Sequence, residues 1–396
     1  MSNFKLPIIG YLIAIIVLFF YSFTQIDLGL TLSEVSVWQT AEKFFKNIGY
    51  FQRPFSSFLF VSIVLSLFTF YLLILNAIRK KEISRRAIWF LIITTTVILA
   101  FSYNAFSYDL FNYMFDAKIV TYYQQNPFVH KALDFPGDPM LSFMHSTHRP
   151  YPYGPFFLAL TVPLSFLGFN FFLPTFFLFK IFTAFSFLGI VFFIEKILNK
   201  ISPKNKEFGI VLFALNPLVL IEGLVSSHND IIMMFFSVWS LHLLLEKKYI
   251  RSIILLIFSI GVKFATIFLV PILIYVLVRH IKKQEIDLSN VAKTALILMI
   301  LAVAITSFAS GINKNPEIQP WYFLILLPFA ALVQKRIVTT ITICISIGML
   351  VSYVPFIATG QWPADIVELK IKLLTLSILG GITIYFLLSK RRRFPV

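Results

Sequence analysis

The sequence predicts an all-α, polytopic membrane protein, and three observations carry that reading. Hydrophobic residues fill 58% of the 396 positions and charged residues only 13%, against about 45–50% and about 25% in a soluble domain. A dozen apolar runs approach the roughly 20 residues that cross a bilayer as a helix. Six clusters of Lys and Arg punctuate those runs, as expected of cytoplasmic loops. Phe contributes 47 residues and Gly only 15, which argues against the alternating short strands of a β-barrel.

The first apolar run follows Lys5, and no small-residue cleavage pattern comes after it, so it reads as an uncleaved span. The runs fall at about 8–24, 57–78, 87–103, 172–195, 208–224, 231–246, 252–262, 264–278, 291–309, 320–333, 337–357 and 371–388. A further run, 154–170, is short and broken by Pro163, so it is expected at the interface or re-entering rather than crossing. The basic clusters are Arg79-Lys80-Lys81 with Arg85-Arg86, residues 196–206, Lys247-Lys248 with Arg251, Arg279 with Lys282-Lys283, Lys335-Arg336, and residues 390–393. All six share one side if 252–278 is a short hairpin turning near Gly261-Val262-Lys263. The result is a single integral-membrane domain over 1–396, with about twelve spans and both termini cytoplasmic. The segments left outside are 25–56, 104–170, 225–230, 310–319 and 358–369.

The net charge of +16, from 34 Lys and Arg against 18 Asp and Glu, is explained by that topology. No Gly-rich phosphate loop and no aromatic–basic stacking platform accompanies it, so no nucleic-acid partner is expected. The one cysteine, Cys344, excludes an intrachain disulfide.

Polar groups gather in the outer segments. Asp109, Asn112, Tyr113 and Asp116 stand at i, i+3, i+4 and i+7, which is one face of a helix. Carboxylates at a membrane edge are costly unless solvated or paired, and one here could serve as a general base toward a hydroxyl. The simpler reading is a carboxylate solvating a helix end. Gln125-Asn126-Pro127-Phe128 reads as a turn. Farther along, His145, His148, Arg149 and Tyr151-Pro152-Tyr153-Gly154-Pro155 offer sugar-stacking rings and a phosphate-binding cation. Asn216-Pro217, Glu222 and Ser226-Ser227-His228-Asn229-Asp230 form a third polar group. Helix capping accounts for Asn229 and Asp230 but not for His228 or Glu222. Lys263 and Lys180 are each either a snorkelling side chain or a buried phosphate ligand. In the last group, 315–322, Trp321 and Tyr322 suit an interfacial aromatic belt, which leaves Glu317 and Gln319 unexplained. Asp109, Asp116, His145 and His148 include metal-ligand types, but no spacing is diagnostic, so no metal or other cofactor is expected.

Three stretches carry a family resemblance: Ser107-Tyr108-Asp109 through Asn126-Pro127-Phe128, Asn216-Pro217 through His228-Asn229-Asp230, and Gln319-Pro320-Trp321-Tyr322. Their order and spacing resemble the GT-C superfamily of polyprenyl-phosphate-sugar-dependent glycosyltransferases, and within it the actinobacterial α-1,6-mannopyranosyltransferases. The resemblance implies a GT-C-type fold with a large extracytoplasmic loop carrying interfacial helices. It implies a polyprenyl-phosphate-mannose type of donor, a glycan or glycolipid acceptor, and transfer with inversion at the outer face of the plasma membrane. Asp109 matches the catalytic Asp and would be the general base. His228, Lys263 and Arg149 would neutralise the donor phosphate, with Gln319 and Trp321 lining the donor site. Asn229 and Asp230 would bind the sugar or position His228, and Asn112, Tyr113, Asp116 and Tyr153 would face the sugar or acceptor. Two spans precede the third here, where many superfamily members have a single span before the catalytic loop. The competing class is a transporter or flippase of a lipid-linked sugar, but such proteins place charged sites at the midplane of repeated halves, and no repeat is visible.

Overall fold

A computed structural model describes residues 5–27, 29, 33–309 and 317–390. Asn315, Pro316 and the basic residues 391–393 lie outside the described residues, as do the outermost parts of both termini. Among the described residues the regular structure is helical, with one isolated bridge between Lys131 and Pro150.

The apolar runs become helices in sequence order. α1 is Lys5–Tyr21. A short amphipathic helix, α2 (Ser36–Lys46), follows and buries none of its residues. α3 (Arg53–Arg79) begins with Pro54 in its first turn and ends on the first basic cluster. α4 (Arg85–Ala100) is capped by Ser84, whose side chain accepts the Ala87 N–H. Then come α5 (Asp109–Thr121), α6 (Pro155–Leu167), α7 (Phe172–Ile201) and α8 (Lys206–Ala214). After a π-helical segment at Val219–Val225 the chain forms α9 (Asp230–Leu245), α10 (Tyr249–Val262), α11 (Val270–Ile281) and α12 (Leu288–Ala309). It closes with α13 (Leu327–Val333), α14 (Arg336–Val351), α15 (Val354–Thr359) and α16 (Ile366–Lys390).

Seven helical stretches among the described residues are long and apolar enough to cross a membrane, or eight if the bent pair 203–225 is one span. The chain is therefore a multi-pass membrane protein. The expected dozen is reached only by adding shorter pieces. α4 and α9 have 16 residues each and α10 has 14. The run at 320–333 divides into a 3-10 turn, Pro320–Ile325, and the seven-residue α13. At 1.5 Å per residue such pieces fall short of a hydrocarbon core of about 30 Å. The run at 208–224 bends by 60°. Pro217 removes a backbone donor there, and Asn216 caps the restart: its Oδ1 accepts the Leu218 N–H at 2.9 Å and its Nδ2 donates to Ser346 Oγ at 3.1 Å.

The helix breaks near 261–263, where the sequence predicts the turn of a hairpin. Lys263 is extended (φ −156°, ψ 133°), between the end of α10 and a 3-10 turn at Phe264–Leu269. Gly154 permits the loop before α6 to dock on that break. Its N–H reaches Val262 O at 3.2 Å, and a Cβ there would sit 2.1 Å from Gly261 O. The basic clusters meet away from this point. Gln334 donates to Asn205 O, Lys200 pairs with Glu246, and Arg85 grips the buried Glu195 with Nε and Nη2 at 2.6 and 3.1 Å. Arg79, Lys81, Arg85 and Lys204 line one pocket at that end.

Candidate active site

α5 builds one wall of the site. Its first residue is Asp109, whose N–H donates to Ser107 Oγ at 3.2 Å and whose carboxylate keeps a side-chain exposure of 24%. The helix carries Asn112, Tyr113 and Asp116 on the same face, as the spacing predicts. Tyr113 donates weakly to Asp109 Oδ2 at 3.5 Å and meets the Tyr153 ring edge-on. Arg149 joins Asn112, Asp116 and Tyr153 around a small pocket. Burial pushes the Asp116 carboxyl up to about 7, against the pull of Arg149 and aided by the Asp109 charge. The side-chain amide of Asn112 is buried without a hydrogen-bond partner among the described residues.

The loop between the π-helical segment and α9 supplies the opposing wall. Ser226 Oγ donates to Ala105 O at 2.5 Å, holding that loop to the chain just before α5. Ser227 takes a left-handed conformation (φ 53°), which turns the chain so that His228 points back at α5. His228 is fully buried. Its Nδ1 lies 3.6 Å from Asp109 Oδ2 and its Nε2 lies 3.2 Å from Glu222 Oε2. These are ion-pair separations; neither contact meets hydrogen-bond geometry. The imidazole stacks on Trp321 with ring centroids 4.3 Å apart. Glu222 is also fully buried, and its Oε1 accepts the Tyr353 hydroxyl at 2.8 Å.

The electrostatics follow from that order. Burial by itself lowers the His228 pKa, but two flanking carboxylates outweigh it and raise it to about 9. Burial by itself raises the Asp109 pKa, but His228, Lys263 and Arg149 bring it below its ordinary value. At neutral pH the site therefore holds a charged His228 beside an ionised Asp109.

The neighbouring residues differ from the capping expectation. α9 starts at Asp230, yet neither Asn229 nor Asp230 caps it. Asn229 has helical backbone angles and makes no side-chain cap. Its amide is buried and unpartnered among the described residues. The fully buried Asp230 carboxylate is gripped by Lys263 Nζ at 3.0 and 2.9 Å. Lys263 thus neither snorkels nor stands free; it also lies over the Tyr322 ring at 5.6 Å. Lys180 follows a third course. Buried in α7, its amino group donates to Ser102 Oγ at 3.1 Å, to Val225 O at 3.0 Å and to Leu224 O. It clamps the carbonyl end of the π-helical segment that precedes His228.

Gln319 is held by two partners, accepting from Lys370 Nζ at 2.7 Å and donating to Glu317 Oε1 at 2.8 Å. His145 stacks on Tyr108 at 3.8 Å, while His148 lies exposed. Among the described residues no three His, Cys, Asp or Glu side chains gather as a metal site would require. Sequence reasoning missed Tyr353 and Lys370. A tyrosine near a span end carries no distinctive signal, but a lysine near the start of an apolar helix does.

The structure therefore joins Asp109, His228, Asp230, Lys263 and Trp321, which come from four separate stretches of chain. No curated protein and no solved structure matches this chain. A family model described as alpha-(1->6)-mannopyranosyltransferase, N-terminal domain, matches residues 12–279. That segment contains Asp109, His228, Asp230 and Lys263, while Trp321 is brought to His228 from beyond it. The match covers more than half of the chain, which thus belongs to the alpha-(1->6)-mannopyranosyltransferase family.

Proposed function

We propose that this chain transfers a mannose-type sugar from a polyprenyl-phosphate donor to a hydroxyl of a glycan or glycolipid, with inversion, at the extracytoplasmic face of the plasma membrane. The observation that carries the reading is the partly exposed Asp109 carboxylate held by a buried, charged His228. A general base must be ionised, reachable and fixed in direction. Asp109 meets all three conditions. The acceptor oxygen attacks C1 of the sugar and its proton passes to Asp109. The C1–O bond to phosphate breaks on the opposite face, and its electron pair leaves with the polyprenyl phosphate. Phosphate is a good leaving group, so fixed positive charge takes the place of a general acid.

The sequence expectation placed His228 first among the phosphate ligands. Its full burial between two carboxylates favours a different role, which is to orient Asp109 and keep it ionised. Trp321 fixes the imidazole plane by stacking. Asn112 and Asn229 present unpartnered amides suited to sugar hydroxyls, with Tyr113, Tyr153 and Asp116 beside them. The basic end of the bundle then faces the cytoplasm, with both termini on that side.

The test is transfer of labelled mannose from polyprenyl-phosphate-mannose to lipid acceptors by membranes carrying wild type or Asp109→Asn. A general base is worth roughly 10²–10⁴-fold, and Asp109→Asn is expected to lose that much with normal insertion. Equal rates in both would remove Asp109 from the chemistry. Activity of the purified protein in detergent, where no second compartment exists, separates an enzyme from a transporter.

A further inference from the structure

α16 is a helix turned almost wholly outward. Leu376, Leu379, Phe386 and Leu387 are each more than half exposed, which in a membrane protein means facing lipid. Of its residues only Lys370 and Gly381 are buried. This is the reverse of the usual arrangement, in which a lysine near a span end extends to water. Lys370 retains only 6% exposure. Its Nζ touches the neutral Gln319 Oε1 at 2.7 Å and lies 5.1 Å over the Trp362 ring. No carboxylate of a described residue pairs with it, whereas Lys263 is neutralised by Asp230. The Glu317 and Glu222 charges reach it only from beyond ion-pair distance, and a buried cation without a direct counter-ion is costly.

We propose that Lys370 is the cation that receives the phosphate of the polyprenyl donor, with the polyprenyl tail lying along the outward apolar face of α16. The assignment rests on the glycosyltransferase reading for its donor. Two observations join at this point. Gln319 holds the ammonium and is followed, two residues on, by Trp321 on His228, so the cation sits beside the catalytic group. The apolar surface beneath it suits a lipid chain. The phosphate displaces the Gln319 contact or shares it, and the ammonium then neutralises the charge that develops as the C1–O bond breaks.

The experiment measures binding of undecaprenyl phosphate to the full chain in nanodiscs, read by tryptophan fluorescence, alongside mannosyl transfer. Lys370→Gln should weaken binding at least tenfold and raise the donor KM. Lys370→Arg should restore much of the binding, and Asp109→Asn should bind like wild type. Undiminished binding by Lys370→Gln overturns the proposal. So does equal competition from phosphatidylglycerol, which would make the site one for ordinary anionic lipid. If Lys370→Gln does not fold, loss of binding in wild type on neutralising the phosphate as its dimethyl ester supports the charge contact, and retention overturns it. Lys370-dependent binding without mannosyl transfer in wild type would uphold the cation and refute the donor sugar.

Discussion

Replacing Lys263 with Met probes whether its ammonium serves the fold or the substrate. The Asp230 carboxylate is fully buried, and both oxygens lie within 3.0 Å of Lys263 Nζ, whose side chain is 22% exposed. Removing the ammonium leaves a buried charge unpaired, for which about 3–5 kcal/mol is typical. Because the lysine flank is open, water can reach the carboxylate in part, and about 3 kcal/mol is expected. Asp230→Asn leaves a lysine that can turn to solvent, so its cost is smaller, about 1–2 kcal/mol. The double variant removes both charges and should be less destabilised than the sum of the two by about 2 kcal/mol. The assay is equilibrium unfolding in mixed micelles titrated with SDS, followed by intrinsic fluorescence, for all four proteins. Additive single losses would refute the reasoning. They would mean that Asp230 and Lys263 are not energetically coupled and that the lysine is available to a ligand.

Three further outcomes follow from the same geometry. The transfer rate should fall on the alkaline side as His228 loses its proton near pH 9, and it should hold on the acid side to below the ordinary Asp range, because Asp109 is shifted down; a pH–rate profile checks both limbs. The stability term has the matching sign: His228 contributes fully below its ordinary value of 6.5, and that contribution is lost as pH rises through about 9. Lys180→Met strips donors from two buried carbonyls and should destabilise by about 2–4 kcal/mol, seen as a lower unfolding midpoint. Trp321→Ala removes the surface that orients His228, so kcat should drop by more than tenfold at near-normal folding, and unchanged kcat would show that stacking is dispensable.

Much of the site was legible because its signals are local. The face formed by Asp109, Asn112, Tyr113 and Asp116 follows from helical spacing alone. The turn near Lys263 follows from the charge pattern on either side, whereas the bend at Asn216-Pro217 was not read from the sequence, which took 208–224 as one span. Span counting was less secure, because hydropathy marks apolar runs without saying whether each is straight and long enough to cross.

Composition, hydropathy and basic clusters determined that this chain is helical and crosses a membrane several times, since transfer to lipid depends on each residue's own side chain. Motif spacing also selected Asp109 and His228. Only the tertiary structure decided what each charge does. Lys263 meets Asp230 across 33 positions, Lys180 clamps carbonyls 44 and 45 positions away, and Lys370 turns inward onto Gln319 from 51 positions away. Those pairings depend on how bent and broken helices cross, which is a property of packing that no single stretch of sequence contains.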